Sequence, residues 1–223
     1  FDRFSVSKKM SLQILRRELE ELKRDLNGEL EFDDLITTIY STDASVYKER
    51  PLAVTWPKDI SDIKKILLFA ADHKVGLIAR AAGTSLAGQV VGNGIVMDVS
   101  KHLNKILELN EKEMWVRVEP GVVLDELNLF LKQYGLFFGP ETSTSNRCNL
   151  GGMVGNNACG SHSIVYGSTR DHLLELKTIL SDGSTAHFHE LSREEFAEKC
   201  CLQNLEGDIY RNEENGVFIC SYS

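Results

Sequence analysis

The stretch Leu150 to Gly167, LGGMVGNNACGSHSIVYG, holds Gly151, Gly152, Gly155, Gly160 and Gly167, with Asn156 and Asn157 between them. Glycine and asparagine reach positive φ at little cost. A run this rich in both predicts sharply bent backbone, with N–H groups aimed at a ligand, and neither a plain helix nor a plain strand. The charge pattern names the ligand class. The chain carries 33 acidic residues and a net charge of −8, yet none of those acids falls between Thr142 and Arg170. A second acid-free run, His73 to Met97, contains another glycine loop, RAAGTSLAGQVVGNG, from Arg80 to Gly94. An anion held by backbone N–H groups produces this pattern, because nearby carboxylates would repel it. Buried segments also lack acids, and that reading stands beside the first.

The 223 residues suit one large domain or two small ones. A 42% hydrophobic content is enough for a core. The negative balance argues against nucleic acid or an anionic membrane as partner. No apolar run reaches the length of a membrane span, and FDRFSVSKK at the start lacks a signal-peptide core. Five cysteines, an odd number without a CxxC pair, point to a reducing, cytoplasmic setting.

Working outward, Leu12, Leu15, Leu19, Leu22 and Leu26 predict a helix over Ser7 to Asn27 with Gly28 as its C-cap. Its leucine stripe packs on its own domain or, alternatively, forms a short coiled-coil seam. A short helix follows over Asp33 to Ile39. Then come a strand over Leu52 to Trp56, ended by Pro57, a helix over Asp59 to His73, and a strand over Leu77 to Arg80 that enters the first glycine loop. Gly94 to Val99 is a further strand, apolar enough to be buried on both faces. This order makes a small sheet with at least one parallel pair. Lys105 to Glu119 reads as a hairpin turning near Asn110 to Glu113, and Val122 to Tyr134 as an amphipathic helix. LFFGPETSTSN is expected to be a strand running into an extended loop. Beyond Gly167, His172 to Leu180 and Thr185 to His189 are strands about an Asp182-Gly183 turn. Ser192 to Glu195 opens a helix ending near Cys201. The tail from Asn204 has no usable periodicity.

Two phosphate motifs fail. Gly83 to Gly88 has the spacing of a P-loop, but Gln89 and Val90 stand where Lys and Ser or Thr are needed. That excludes a phosphate-ester hydrolase. Neither loop has the Rossmann G-x-G-x-x-G spacing followed by a helix. What remains is two loops, far apart in sequence, that jointly wrap a diphosphate.

RAAGTSLAG, GIVMDVSKHLNKIL, VRVEPGV, GPETSTSNRCNLGGMVGNNACG and YGSTRDHLLELKTILSDG together resemble the FAD-binding, PCMH-type domain of the vanillyl-alcohol-oxidase flavoprotein superfamily. The branch is that of glycolate oxidase and D-lactate dehydrogenase, in its long forms fused to an iron–sulfur domain. The resemblance runs from Tyr40 to Gly183. It implies an α+β fold of two subdomains with FAD between them: a small parallel or mixed sheet with helices, and a mostly antiparallel second sheet with helices. The implied divisions are an N-terminal helical extension (1–39), two FAD-binding subdomains (40–103 and 104–190) and a truncated C-terminal segment (191–223). Arg80, Ala82, Gly83, Thr84, Ser85, Leu86 and Gly88 would hold the pyrophosphate, with hydroxyl donors from Thr84 and Ser85. Pro140, Glu141 and Thr142 would pass near the ribose and flavin. Gly151, Gly152, Asn156, Asn157, Gly160 and Ser161 would line the other side, with Tyr166 and Gly167 closing the loop.

The first loop has no histidine for covalent attachment, so non-covalent FAD is expected, with Cys148 and Cys159 as small buried packing residues. His162 is weighed as a structural donor against a catalytic group. The implied activity is flavin-dependent oxidation of a small 2-hydroxy acid such as D-lactate or glycolate. An iron–sulfur domain or subunit is the implied electron partner. The family's substrate cap has no counterpart here, so no catalytic residue is assigned, and the isolated chain is expected to hold FAD weakly or not at all. The alternative is a non-catalytic nucleotide-binding or interaction module using the leucine helix.

Overall fold

The computed structural model describes residues 2–214, with side chains from 14 to 212. Helix α1 (Asp2–Asp25) leads into strand β1 (Glu29–Glu31), helix α2 (Asp34–Ile39), strand β2 (Ala53–Trp56), helix α3 (Ile60–Asp72), and strands β3 (Leu77–Arg80) and β4 (Ile95–Asp98). The four strands form one sheet in the order β1-β2-β4-β3, antiparallel at β1-β2 and parallel at β2-β4 and β3-β4. Every residue of β2 and β4 is buried, in keeping with their mostly apolar composition as central strands. Leu19 and Leu22 of α1, and Leu26 just past its end, pack with Leu30, Ile66, Ala70, Ile95 and Met97 in one core. The leucine stripe therefore belongs to its own domain. Leu12 of that stripe lies outside the described side chains.

Gly28 is not a left-handed C-cap, since its φ is not positive. It is needed for close approach: a Cβ there would lie 2.2 Å from the Trp56 carbonyl oxygen. The turn after α1 is held by the buried Asp62 of α3, whose carboxylate accepts from Asn27 N at 2.9 Å, Gly28 N at 2.8 Å and Lys58 N at 3.0 Å.

The chain then forms a hairpin, β5 (Ile106–Asn110) and β6 (Trp115–Val118), followed by helix α4 (Leu124–Lys132). Val122, Leu124, Leu127 and Leu131 build a second core with Cys148, Leu150 and Met153. The first amides of α4 lack a side-chain cap. Backbone carbonyls supply it, with Leu124 N donating to Cys148 O and Asp125 N to Ser145 O, which satisfies donors a helix start leaves open. Leu150 N and Gly151 N answer to Val122 O and Pro120 O. The start of the second glycine stretch is thereby pinned to the Pro120-Gly121 turn.

That stretch differs from the expectation. Leu150–Gly155 is a short helix, α5, and Ser163–Tyr166 another, α6. Of its residues only Asn157 (φ 44°) and Gly167 (φ 75°) have positive φ. Residues 136–149 form no strand, because they spend their hydrogen bonds on α4 and on local turns. A 3-10 turn, Thr169–His172, takes the place of the start of the next expected strand.

Contacts divide the chain after His172. The second unit holds the hairpin β7 (Leu176–Ile179) and β8 (Thr185–Phe188) and helices α7 (Arg193–Cys200) and α8 (Leu205–Glu214). Apart from β1-β2, the antiparallel pairing among the described residues consists of two two-stranded ladders, β5-β6 and β7-β8. The capping box on α7 is present, with Ser192 and Glu195 bonded reciprocally. Helix α8 was not legible from its sequence.

Candidate functional site

The first loop leaves the C-terminal end of β3, an edge strand of the parallel part of the sheet. Its backbone N–H groups from Ala81 through Leu86 find no acceptor among the described residues. An unbroken row of unpaired amides at the end of a parallel strand is an anion cradle in waiting. Gly83 (φ 65°) makes the turn, and its carbonyl accepts from Ala44 N at 3.1 Å. A Cβ on Gly83 would lie 2.5 Å from a guanidinium nitrogen of Arg80. Arg80 itself donates to Thr42 O at 2.9 Å and lies over the Tyr40 ring, 5.0 Å from its centre. It braces the loop from below.

That brace extends inward. Tyr40 OH donates to Asp98 Oδ2 at 2.7 Å and accepts from Trp56 Nε1 at 3.0 Å. Burial, then the Asp98 hydrogen bond, push the Tyr40 phenol well above the ordinary tyrosine range. Three strand ends, at Trp56, Arg80 and Asp98, are thus tied together through one side chain.

The second stretch comes to meet this loop. A Cβ on Gly152 would lie 3.1 Å from Ala81 Cβ. Gln89 Nε2 donates to Asn156 Oδ1 at 3.1 Å. On its other side, Gly160 lies against the backbone of Glu141, whose carbonyl oxygen would be 2.4 Å from a Cβ there. Ser161 Oγ donates to Glu141 Oε1 at 2.8 Å, and His162 Nδ1 lies 2.6 Å from the same oxygen. Gly139 packs under Tyr166, whose ring meets Phe137 edge-on. The acid-free run therefore does receive a carboxylate in space. The His162 contact, then the Ser161 hydroxyl, hold Glu141 below the usual carboxylate range. His162 is placed as a partner of Glu141.

The expected site residues fall in different surroundings. Arg80, Ala82, Gly83, Thr84, Ser85, Leu86 and Gly88 make one loop, and Leu86 is 81% exposed at its tip. Gly88 (φ 72°) folds over the Tyr47 ring. The hydroxyl of Ser85 is already spent, donating to Gln89 Oε1 at 2.6 Å and accepting from Ala87 N at 3.2 Å. Pro140 is buried, and Thr142 Oγ1 turns to Cys148 Sγ at 3.2 Å. Asn157 Oδ1 accepts from Arg170 N, and Gly167 sits against Asp171. In the second stretch the amides of Asn156, Asn157 and Ala158 bond to carbonyls of α5, so this stretch is a wall more than a cradle. Its glycines Gly151, Gly152 and Gly160 serve close approach. Cys148 is buried as expected, but Cys159 is exposed, because the chain after Ala158 leaves the second core. Arg147 is exposed and donates to Asn146 Oδ1 at 3.0 Å. Open hollows beside α1, one lined by Glu21, Arg24 and Asp25, share no residue with either loop. Gln89, Tyr40 and Thr42 escaped the sequence reading; their importance depends on partners distant in the chain.

The chain matches the FAD binding domain family over residues 51–189. It is 40% identical over 197 residues to D-2-hydroxyglutarate dehydrogenase of Pseudomonas putida, a match covering 86% of this chain and 20% of that protein. It is 31% identical over 175 residues to glycolate oxidase subunit GlcD of Bacillus subtilis, covering 76% of this chain and 37% of that one. Among solved structures, wild-type BBE-like 1 of Physcomitrella patens superposes with a TM-score of 0.66 at 17% identity, over 77% of this chain and 37% of that one. No helix among the described residues is long and apolar enough to cross a membrane.

Proposed function

Because the chain belongs to the FAD binding domain family, we propose that the seam between its two glycine segments holds FAD non-covalently, with the diphosphate on the first loop. The observation that carries this reading is the row of unpaired amides from Ala81 to Leu86, on a stretch of sequence with no acidic residue. Thr84 supplies the loop's hydroxyl donor, since Ser85 is engaged by Gln89. Pro140, Glu141, Gly152, Asn156, Gly160, Ser161 and Tyr166 form the opposite wall. Asn157, Thr142 and Gly167 act behind it, turned to Arg170, Cys148 and Asp171.

The whole protein's activity is proposed as flavin-dependent oxidation of a 2-hydroxy acid. Relatives are named for D-2-hydroxyglutarate, glycolate and D-lactate. Bound flavin supplies the two-electron acceptor. This chain's residues bind and orient it: amides neutralise the diphosphate, and glycines let backbone approach the cofactor without Cβ atoms in the way. An iron–sulfur domain or subunit is the proposed electron partner. The cytoplasm is the proposed compartment, in keeping with Cys148, Cys159 and Cys201 being free thiols. The interaction-module alternative loses its support at α1, because Leu19, Leu22 and Leu26 are core residues.

The test is a titration of the purified chain with FAD, read by flavin fluorescence. Saturable quenching, reversed by ADP and by inorganic pyrophosphate but not by adenosine, is expected, however weak the binding. Absence of saturable quenching, or equal competition by adenosine, would overturn the diphosphate assignment.

A further inference from the structure

The two glycine segments are joined by a single chain of side-chain hydrogen bonds. Ala87 N donates to Ser85 Oγ, and Ser85 Oγ donates to Gln89 Oε1 at 2.6 Å. Gln89 Nε2 then donates to Asn156 Oδ1 at 3.1 Å, across 67 residues of sequence. The chain is directional. The carboxamide offers its oxygen to the loop it belongs to and its N–H to the loop opposite. No shorter or singly functional side chain at position 89 can do both. The other links between these segments are apolar or steric, such as Gly152 against Ala81.

We infer that Gln89 is a positioning residue: its carboxamide clasps the first glycine loop to the second and sets the spacing of the two walls that FAD must touch together. This rests on the reading of the seam as an FAD site. Gln89 is exposed, so its hydrogen bonds add little to global stability. What they fix is the relation between an anion cradle with few internal bonds and a wall that is well bonded to α5. A ligand that uses the cradle alone does not need the clasp. A ligand that spans both walls does, since without it the loop must be ordered at the moment of binding.

The experiment measures FAD by fluorescence quenching and inorganic pyrophosphate by calorimetry, on the full chain and on Gln89→Ala, Asn156→Ala and the double variant. Gln89→Ala should weaken FAD by about fivefold, the worth of one modest hydrogen bond. Its pyrophosphate affinity should stay within experimental error of the original. In the Asn156→Ala background, adding Gln89→Ala should cause no further loss, the signature of a shared contact. Gln89→Glu keeps the acceptor for Ser85 but loses the donor to Asn156, so it should weaken FAD at least as much as alanine does. Equal weakening of FAD and pyrophosphate by Gln89→Ala would show general damage to the cradle and overturn the inference. So would a full second loss in the double variant, or no loss at all. If the unaltered chain bound neither ligand, the seam itself would fail as a site, and the clasp with it. Binding of both with additive losses would sink the clasp alone.

Discussion

Tyr40 concentrates more of the fold in one side chain than any residue of the glycine loops. Its hydroxyl bonds Asp98 and Trp56, and its ring carries the Arg80 guanidinium that braces Gly83. Tyr40→Phe keeps the ring and removes the hydroxyl. It leaves the buried Asp98 carboxylate one donor short, a loss of about 1–3 kcal/mol at neutral pH. The phenol's pKa is raised in the folded state, first by burial and then by Asp98. Its contribution is therefore full below the ordinary tyrosine pKa of about 10 and is lost as pH rises from there toward the higher folded value. Denaturation midpoints measured from pH 8 to 11 should fall more steeply above pH 10 for the unaltered chain than for Tyr40→Phe. Parallel curves would show that the hydroxyl is not the group that the fold keeps neutral.

Among the elements, α3 does more than fill a layer. Asp62, fully buried, accepts three backbone N–H groups from the turn between α1 and β1 and from the start of its own helix segment. Asp62→Ala would strand those donors without water. The expected cost is about 3 kcal/mol or more, given about 1–3 kcal/mol for each buried group left unsatisfied, with Asp62→Asn falling between the two. Chemical denaturation would measure it; a cost under about 1 kcal/mol would mean that water reaches the turn. Periodicity revealed α1, α3, α4 and the strands β2 to β6 because their apolar faces are long enough to show a period. Strand β1 is three residues long, too short for alternation to register, and it exists because it pairs with β2. Helix α8 carries Gly207 and mixed charges that hide its face. In the site, the glycines were legible as special positions but not for their actual reasons. Gly160 is needed where the Glu141 backbone comes close and Gly152 where the Ala81 methyl does, a property of the partner that no local pattern encodes. Gln89 was passed over because its meaning lies in Asn156.

At the scale of the whole molecule, two of the three hydrophobic clusters described before Leu173 divide the labour. One, under the four-stranded sheet, packs against β3, the strand that leads into the proposed anion cradle. The other, formed by α4, α5 and the β5-β6 hairpin, fixes the wall that closes on it. Helix α1 lies outside the segment matched by the FAD binding domain family, yet Leu19 is fully buried against the sheet. The helix is thus a structural part of the first core and not a free handle. Leu19→Ala should cost about 3 kcal/mol, within the range for buried leucines whose surroundings collapse only partly, and should leave the mass in solution unchanged. Urea denaturation measures the first quantity and light scattering the second. A handle for a partner gives the opposite pair of results: negligible loss of stability and a change in mass. That outcome would return α1 to the role of an interaction element. The expected outcome ties FAD affinity to α1 indirectly, because loosening the sheet core loosens β3, and β3 carries the loop proposed to hold the diphosphate.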